Sequence, residues 1–551
     1  MPRMRKVLTA ALLVLGLSVS HGAAQERLPD IGSSAGTVLS PAQQAEYGQM
    51  LLAQLRHYDM VLEDPLVNDW LRGTGARLAS ASDQPQQSFT FFVMRDRSVN
   101  AFATLGGHIG LNVGLVLAAQ TEDEVAAVLA HEVAHVTQNH VLRGAERAQR
   151  DSVPILLAML GAIAVAAGSD SDSSGEAAMA ALAGAQGWAI QRQIDYTRSN
   201  ESEADRLGIR TLARAGYDVS GMASMFERMQ AMSRTNQGGD RERLPDYLRT
   251  HPVTTTRISE ARQRAEQIAR ESGAIVGTAT TPEGRRTERI IAGSPLGNVG
   301  TGTRNPLLPA SLRLPAGAAA PGGGDPVVFG WTRERMRVLS AETPAAAIRE
   351  YEAMRRNGLL ADDQRYGLAL ARLLSGDYAV AATRFAELLE EYPGDLWLGV
   401  SLAEAEVRSG RVVEGDRRFD ALLERMPNHR ATVLTYAGLL AERNTPAAGR
   451  RAQELLRPLL RSAADDPTFQ RTFARVSEIA GDPVRAGEAH AEAAFLGGRA
   501  EQALVQLNTL KKRDDLDYYA RARIDARIAA ITPTVLELRR QGVRDEDLRR
   551  R

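Results

Sequence analysis

Cysteine is absent from all 551 residues. That excludes disulfides, thiolate nucleophiles, iron–sulfur clusters and cysteine-built zinc knuckles. The redox compartment cannot be read from disulfides, and a chain this long can bury a core without them. Lysine is nearly absent too: Lys6, Lys511 and Lys512 are the only three among 67 basic residues. Aromatic residues make up 5% of the chain. No charge of either sign is in excess, with 67 basic against 67 acidic residues. The global basic surface that would hold nucleic acid is therefore missing. No Walker motif, Rossmann fingerprint or serine nucleophile elbow occurs. What remains is 44% hydrophobic and 24% charged residues, the composition of ordered globular domains. The length favours two to four of them, at roughly 100–200 residues each.

Long apolar runs are few. The first, Val7–Ser20, has 14 residues, follows the basic MPRMRK and precedes the small residues Gly22 and Ala24. That is the layout of a cleaved secretory signal over residues 1–24, with the cut after Ala24. A mature chain from Gln25 carries 64 basic and 67 acidic residues, a net charge of −3. Export to the periplasm is expected if the source has an outer membrane. The second run, Val153–Gly168, has 16 residues rich in Ala and Gly. It is short for a bilayer span of about 20. A buried hairpin or lid is the first reading, with peripheral membrane contact as the alternative.

Residues Pro41–Leu78 read as helix broken near Pro65. Ser88–Met94 is rich in strand formers, and Asn100–Asn112 alternates around Gly106-Gly107 as a hairpin would. Thr121-Glu-Asp-Glu124 is a capping box that opens a helix from Glu122 to about Leu142. Gly, Pro, Ser and Thr become dense between Ser272 and Pro326, which reads as a linker over 271–330 with local order around Arg286–Ile291. Beyond it the pattern repeats. Gly376 returns as Gly410, Phe385 as Phe419, Leu388-Leu389 as Leu422-Leu423 and Pro393 as Pro427, each 34 residues on. That is the period of tetratricopeptide helical hairpins, whose stacking buries Leu/Ala faces and leaves a concave surface for protein or peptide.

The sharpest chemical signal is His131-Glu132-Val-Ala-His135. On a helix the two imidazoles lie one turn apart on one face and can meet one tetrahedral zinc ion. Glu132, offset beside them, can take a proton from water activated there and pass it to a leaving amine. A third ligand is needed. Glu201-Ser-Glu-Ala-Asp205 offers Glu201, with Asp205 on the same face able to orient a ligating histidine. The plainer reading of that segment is a solvated acidic turn partnered by Arg198 and Arg206. Glu203 would point away. His140 is five residues from His135, the wrong direction on a continuous helix, and is read as a surface or capping residue. His108 fits a turn. His251, held before Pro252, can reach the metal or serve as a structural hydrogen-bonding group.

The ordered series Asn100-Ala-Phe with Gly106-Gly107, His131-Glu132-x-x-His135, Glu201-x-Glu-Ala-Asp205-Arg-x-Gly208 and His251-Pro252 with Arg257 resembles the M48 family of zinc metallopeptidases. Within it, the chain is most similar to the secreted BepA-like members with a tetratricopeptide tail. The resemblance implies an α+β fold: a mainly helical zincin-type metallopeptidase domain with a small β-hairpin or sheet over 25–270, then an all-α tetratricopeptide solenoid over 331–551. It implies one zinc ion per chain on His131, His135 and Glu201, with Glu132 as catalytic base and Asp205 supporting the histidines. His251 would be a catalytic-site residue and the fourth ligand at rest. Asn100, Ala101, Phe102 and Ala103 would bind an extended substrate as an edge strand, and Arg257 would shape the substrate side. The implied role is an endopeptidase and chaperone for unfolded or misassembled outer-membrane proteins, in contact with the barrel-assembly machinery and with no nucleic acid. A non-proteolytic chaperone or scaffold working through the repeats is the alternative, and a zinc aminopeptidase of short peptides a third reading.

Overall fold

The computed structural model describes residues 39–147, 194, 196–235, 246–271, 275–280, 286–291, 324–540 and 542. The expected leader at 1–24 and the apolar run at 153–168 lie outside them. Helix α1 (Pro41–His57) starts at Ser40, whose hydroxyl accepts from the Gln43 amide while the Gln43 side chain accepts from the Ser40 amide. This is the reciprocal capping box. Helix α2 (Pro65–Ser80) starts at Asp64, which accepts from the Leu66 and Val67 amides at 3.1 Å. The break between the helices falls at Pro65, where a ring is tolerated only in a first turn.

Strands β1 (Thr90–Met94), β2 (Ala101–Ala103) and β3 (His108–Asn112) form one sheet in the order β1-β3-β2. β1 runs parallel to β3, while β2 and β3 form the expected antiparallel hairpin. Its turn needs two left-handed residues, Gly106 at φ 68° and Gly107 at φ 77°. A Cβ on Gly107 would also lie 2.1 Å from the Ser88 carbonyl oxygen. Helix α3 (Val113–Ala118) leads to α4 (Glu122–Thr137), which packs between the sheet, α2 and α7 (Gly221–Thr235). Every α4 residue except His135 is buried.

Two expectations for α4 change. Thr121 does accept from the Glu124 amide, but the Glu124 carboxylate accepts from Gln120 and pairs with Arg228 rather than closing a capping box. The helix also ends at Thr137 rather than near Leu142. Asn139 adopts φ 54°, the left-handed conformation that stops a helix, and a new helix, α5, covers 140–147. Helix α6 covers 196–214, and α8 (Asp246–Thr250) and α9 (Thr255–Glu271) complete the region. Within 271–330, strands β4 (Ile275–Thr280) and β5 (Arg286–Ile291) pair antiparallel.

Helix α10 (Pro326–Leu339) opens an all-helical region. Helices starting at Asp362, Leu396 and Arg430 stand 34 residues apart, each followed by a second, antiparallel helix. Gly376 and Gly410 turn each pair at φ 92°, and Asn444 does so at φ 51°. Phe385 and Phe419 are fully buried at equivalent positions. The arrangement is an all-α solenoid of the tetratricopeptide kind, joined to a mixed α+β region with a small open sheet.

The two regions share one hydrophobic cluster, running from Leu62 and Val67 through Phe329 and Trp331 to Phe473. A buried ion pair fixes the contact. The Arg335 guanidinium donates to both Asp64 oxygens at 2.7 Å and to the Tyr366 hydroxyl at 3.1 Å. Arg335→Ala would leave the Asp64 carboxylate buried without its counter-ion. We expect a loss of about 3–5 kcal/mol, read as a lower unfolding midpoint in denaturant. The control Arg365→Ala breaks an exposed pair with Glu391 and should stay within about 1 kcal/mol.

Candidate metal centre

Helix α4 presents His131 and His135 on one face, with their Nε2 atoms 3.0 Å apart. Helix α6 crosses beside it. Gly208 makes the approach close: a Cβ there would lie 3.1 Å from His131 Cα and N. Glu201, two turns earlier on α6, therefore reaches both histidines, with Oε2 3.4 Å from His131 Nε2 and Oε1 3.4 Å from His135 Nε2. His251 follows α8, anchored by its amide on the Tyr247 carbonyl at 2.7 Å. Its Nδ1 lies 2.9 Å from Glu201 Oε1 and 3.4 Å from His131 Nε2. One ligand atom from each of the four residues falls within 4.8 Å of the others; His131, Glu201 and His251 are buried and His135 nearly so.

These residues fit a zinc ion. Zinc–nitrogen bonds of about 2.0–2.1 Å in a tetrahedron put neighbouring ligand atoms about 3.3 Å apart, and the contacting pairs stand at 2.9–3.4 Å. Charge agrees. Glu132, Glu201 and Asp205 are buried, and among the described residues Arg257 is the one guanidinium paired with them. Two negative charges remain, which one divalent cation cancels. Glu132 Oε1 is buried without a hydrogen-bond partner, 3.7 Å from His251 Nε2.

Asp205 lies behind His131, with Oδ1 3.0 Å from His131 Nδ1, a contact at ion-pair distance but off the hydrogen-bond direction. Its two oxygens accept from Arg257 at 2.7 and 2.8 Å. Arg257 also reaches Glu201 Oε2 and the Pro252 carbonyl, and its guanidinium lies 4.8 Å from the Phe226 ring centroid. Burial opposes charge on His131, but Asp205 and Glu201 overcome it and push its pKa up to about 10. Burial likewise opposes ionisation of Glu201 and Asp205, and is outweighed: by His131, His135 and His251 for Glu201, and by Arg257 and His131 for Asp205. Both carboxyls are held below their ordinary range. Burial lowers His135.

Ala101–Ala103 form β2, the edge strand against which α4 packs, and Asn100 immediately precedes it. His108 is buried with Nδ1 3.2 Å from the Leu105 carbonyl, at the turn. A cavity of about 550 Å³ opens elsewhere, between α1, β1 and the last solenoid helices, and none of the four cluster residues lines it.

Three residues of the site escaped the sequence reading. His140 is buried, not a surface residue. Its Nδ1 lies 2.9 Å from His135 Nδ1 and its Nε2 3.1 Å from Glu203 Oε2. The left-handed turn at Asn139 folds it back toward His135; a continuous helix would have carried it away. Burial and the neighbouring His135 push its pKa down to about 4. Glu203 leaves the ligand cluster as expected, but it serves His140 and Arg143. Tyr247 is fully buried, its ring stacks on His251 at 4.7 Å, and its hydroxyl has no hydrogen-bond partner. The Gln-Asn pair after Thr137 was the readable hint for His140. Nothing in the sequence pointed to Tyr247.

The sequence is similar to those of known proteins. A profile of peptidase family M48 matches residues 65–265. A Vibrio cholerae protein, provisionally named a beta-barrel assembly-enhancing protease, is 42% identical over 240 residues, covering 44% of this chain and about half (48%) of the Vibrio protein. The beta-barrel assembly-enhancing protease of Yersinia pestis is 28% identical over 528 residues, 95% of this chain and 96% of that one. The Escherichia coli K12 protein of the same name is 27% identical over 524 residues, 95% and 94% of the two chains. Residues 65–265 thus match the M48 peptidase family, and the His/His/Glu donor set inside the matched segment is that of a zinc-dependent endopeptidase.

Proposed function

We propose that this chain is a periplasmic zinc endopeptidase that cleaves misfolded or stalled outer-membrane proteins and assists the assembly of others. The observation that carries the reading is the four-atom donor cluster with the unpartnered Glu132 carboxylate beside it. The names of the full-length relatives supply the substrate class. His131, His135 and Glu201 hold the metal, one per chain. The bound zinc ion supplies Lewis acidity for the scissile carbonyl and for water. Glu132 accepts the proton and returns it to the leaving amine. Asp205 orients His131, and Arg257 fixes Asp205 and Glu201 together. The open edge of β2 at Asn100–Ala103 takes an extended substrate by main-chain hydrogen bonds.

His251 occupies the fourth position at rest. Its Nδ1 already faces Glu201 and its Nε2 faces Glu132, so a substrate must displace it. The division into a leader at 1–24, a peptidase domain at 25–270, a connecting segment at 271–330 and a repeat domain at 331–551 belongs to the same reading. The solenoid offers the surface for clients and for barrel-assembly partners. No helix among the described residues is long and apolar enough to cross a membrane. The occupied fourth position also favours the second reading, a mostly silent protein that works as a chaperone or scaffold.

Two measurements test this. Purified mature protein, Glu132→Gln and His251→Ala are assayed for cleavage of casein or an unfolded barrel, with zinc content on the same samples. We expect about one zinc per chain throughout, a loss of roughly 10²–10⁴-fold in Glu132→Gln and faster cleavage in His251→Ala. Zinc in all three with no cleavage would favour the scaffold reading. The second measurement uses protons. His131, pushed up to about 10 in the metal-free protein, is protonated at neutral pH and must lose that proton to bind zinc. Calorimetry in buffers of different ionisation enthalpy should find about one proton released, and affinity should rise about tenfold per pH unit below that pKa.

A further inference from the structure

Resting on the zinc-site reading above, we propose that Glu203 and His140 form a positioning relay that fixes the tautomer and direction of the ligand His135. The contacts leave one consistent arrangement of protons. His135 Nε2 faces His131 Nε2 and Glu201, so it is the metal-facing atom and must offer its lone pair. A neutral His135 then carries its proton on Nδ1. That atom lies 2.9 Å from His140 Nδ1, so the N–H of His135 donates and His140 Nδ1 accepts. His140 in turn carries its proton on Nε2, which donates to Glu203 Oε2 at 3.1 Å. The far end of the chain is a carboxylate and can only accept. Arg143 Nη1 donates to the same Glu203 oxygen at 3.2 Å. An acceptor-only carboxylate at the end of the chain therefore sets which nitrogen of His135 is free, two hydrogen bonds away.

The two ligand histidines are thus supported differently. His131 has a buried carboxylate directly behind it, Asp205. His135 has a neutral ring behind it, and the carboxylate comes one step later at a half-exposed position. The relay exists because Asn139 breaks the helix: it brings residue 140 back under residue 135, and α6 supplies Glu203 two residues after Glu201.

The test is zinc affinity of the full mature chain, by competition with a chromophoric chelator, and the visible spectrum of the cobalt-substituted protein. His140→Ala should weaken zinc binding about 10- to 100-fold, the usual cost of losing a partner behind a metal ligand, and change the cobalt spectrum. His140→Gln, whose amide can accept from His135 and donate to Glu203, should recover most of the affinity. Glu203→Gln should weaken binding with little change in unfolding temperature under chelator. A folded His140→Ala with wild-type affinity and spectrum overturns the relay. If His140→Ala does not fold, unchanged affinity in Glu203→Gln overturns it. Wild-type protein that takes up no zinc would overturn the site reading itself, a separate outcome.

Discussion

Three carboxylates in a space closed to water set the terms for the rest of this structure. Glu132, Glu201 and Asp205 expose at most 4% of their surface. Each would cost several kcal/mol if buried as an unpaired charge. Arg257 answers part of the demand, binding Asp205 through two nitrogens and Glu201 through a third. The remaining excess of two charges is what a divalent cation removes. The same carboxylates, Asp205 and Glu201 facing His131, push its pKa up to about 10 against the effect of burial. Metal binding, protonation and the stability of the crossing helices are therefore one linked equilibrium.

The helices that bear these charges are held from outside the site. At the start of α4, Glu122 accepts from Thr74, Tyr217 and the Asp325 amide, and Asp123 accepts from the Asp218 and Gly324 amides. Acidic side chains suit a helix N-terminus, and here they also tie it to the residues that lead into α10. Arg335 and Asp64 lock that same helix onto α2. The first solenoid helix and the metal-binding helix thus share anchors. A partner that shifted the solenoid would load the N-terminal end of α4, about two to four turns before the ligands.

What the sequence disclosed follows from the range of the interactions involved. His131 and His135 are four apart, and their meeting requires only a helix. Glu201 and Asp205 repeat that spacing, and the 34-residue interval needs only a counted period. The β2–β3 hairpin was legible because Gly106-Gly107 can turn where other residues cannot. The support of His135 was not. It depends on one left-handed residue, Asn139, which converts His140 from a residue facing away into a buried partner. Tyr247 and the Arg335–Asp64 pair were hidden for a different reason: each joins segments whose proximity no local pattern encodes. The sequence also did not distinguish a capping role for Glu124 from its actual pairing with Arg228.

His251 brings these threads together, because it is the ligand candidate that lies just past a five-residue helix, α8, rather than on a long one. Its ring lies on Tyr247, its Nδ1 on Glu201, and the peptide after it is fixed through the Pro252 carbonyl to Arg257. An aromatic stack is worth about 0.5–1.5 kcal/mol beyond its buried area. The histidines on α4, by contrast, lie on a helix buried at every position but His135. Displacing His251 therefore disturbs a short turn, whereas displacing His131 or His135 would disturb the core. In the proposed resting state this difference decides which ligand yields to a substrate carbonyl. A preference of a few kcal/mol is enough to keep the closed form dominant while leaving it reversible by a ligand that binds the open one better. Arg257 touches Asp205, Glu201 and the His251 loop at once. It thereby ties the turn that carries His251 to both carboxylates.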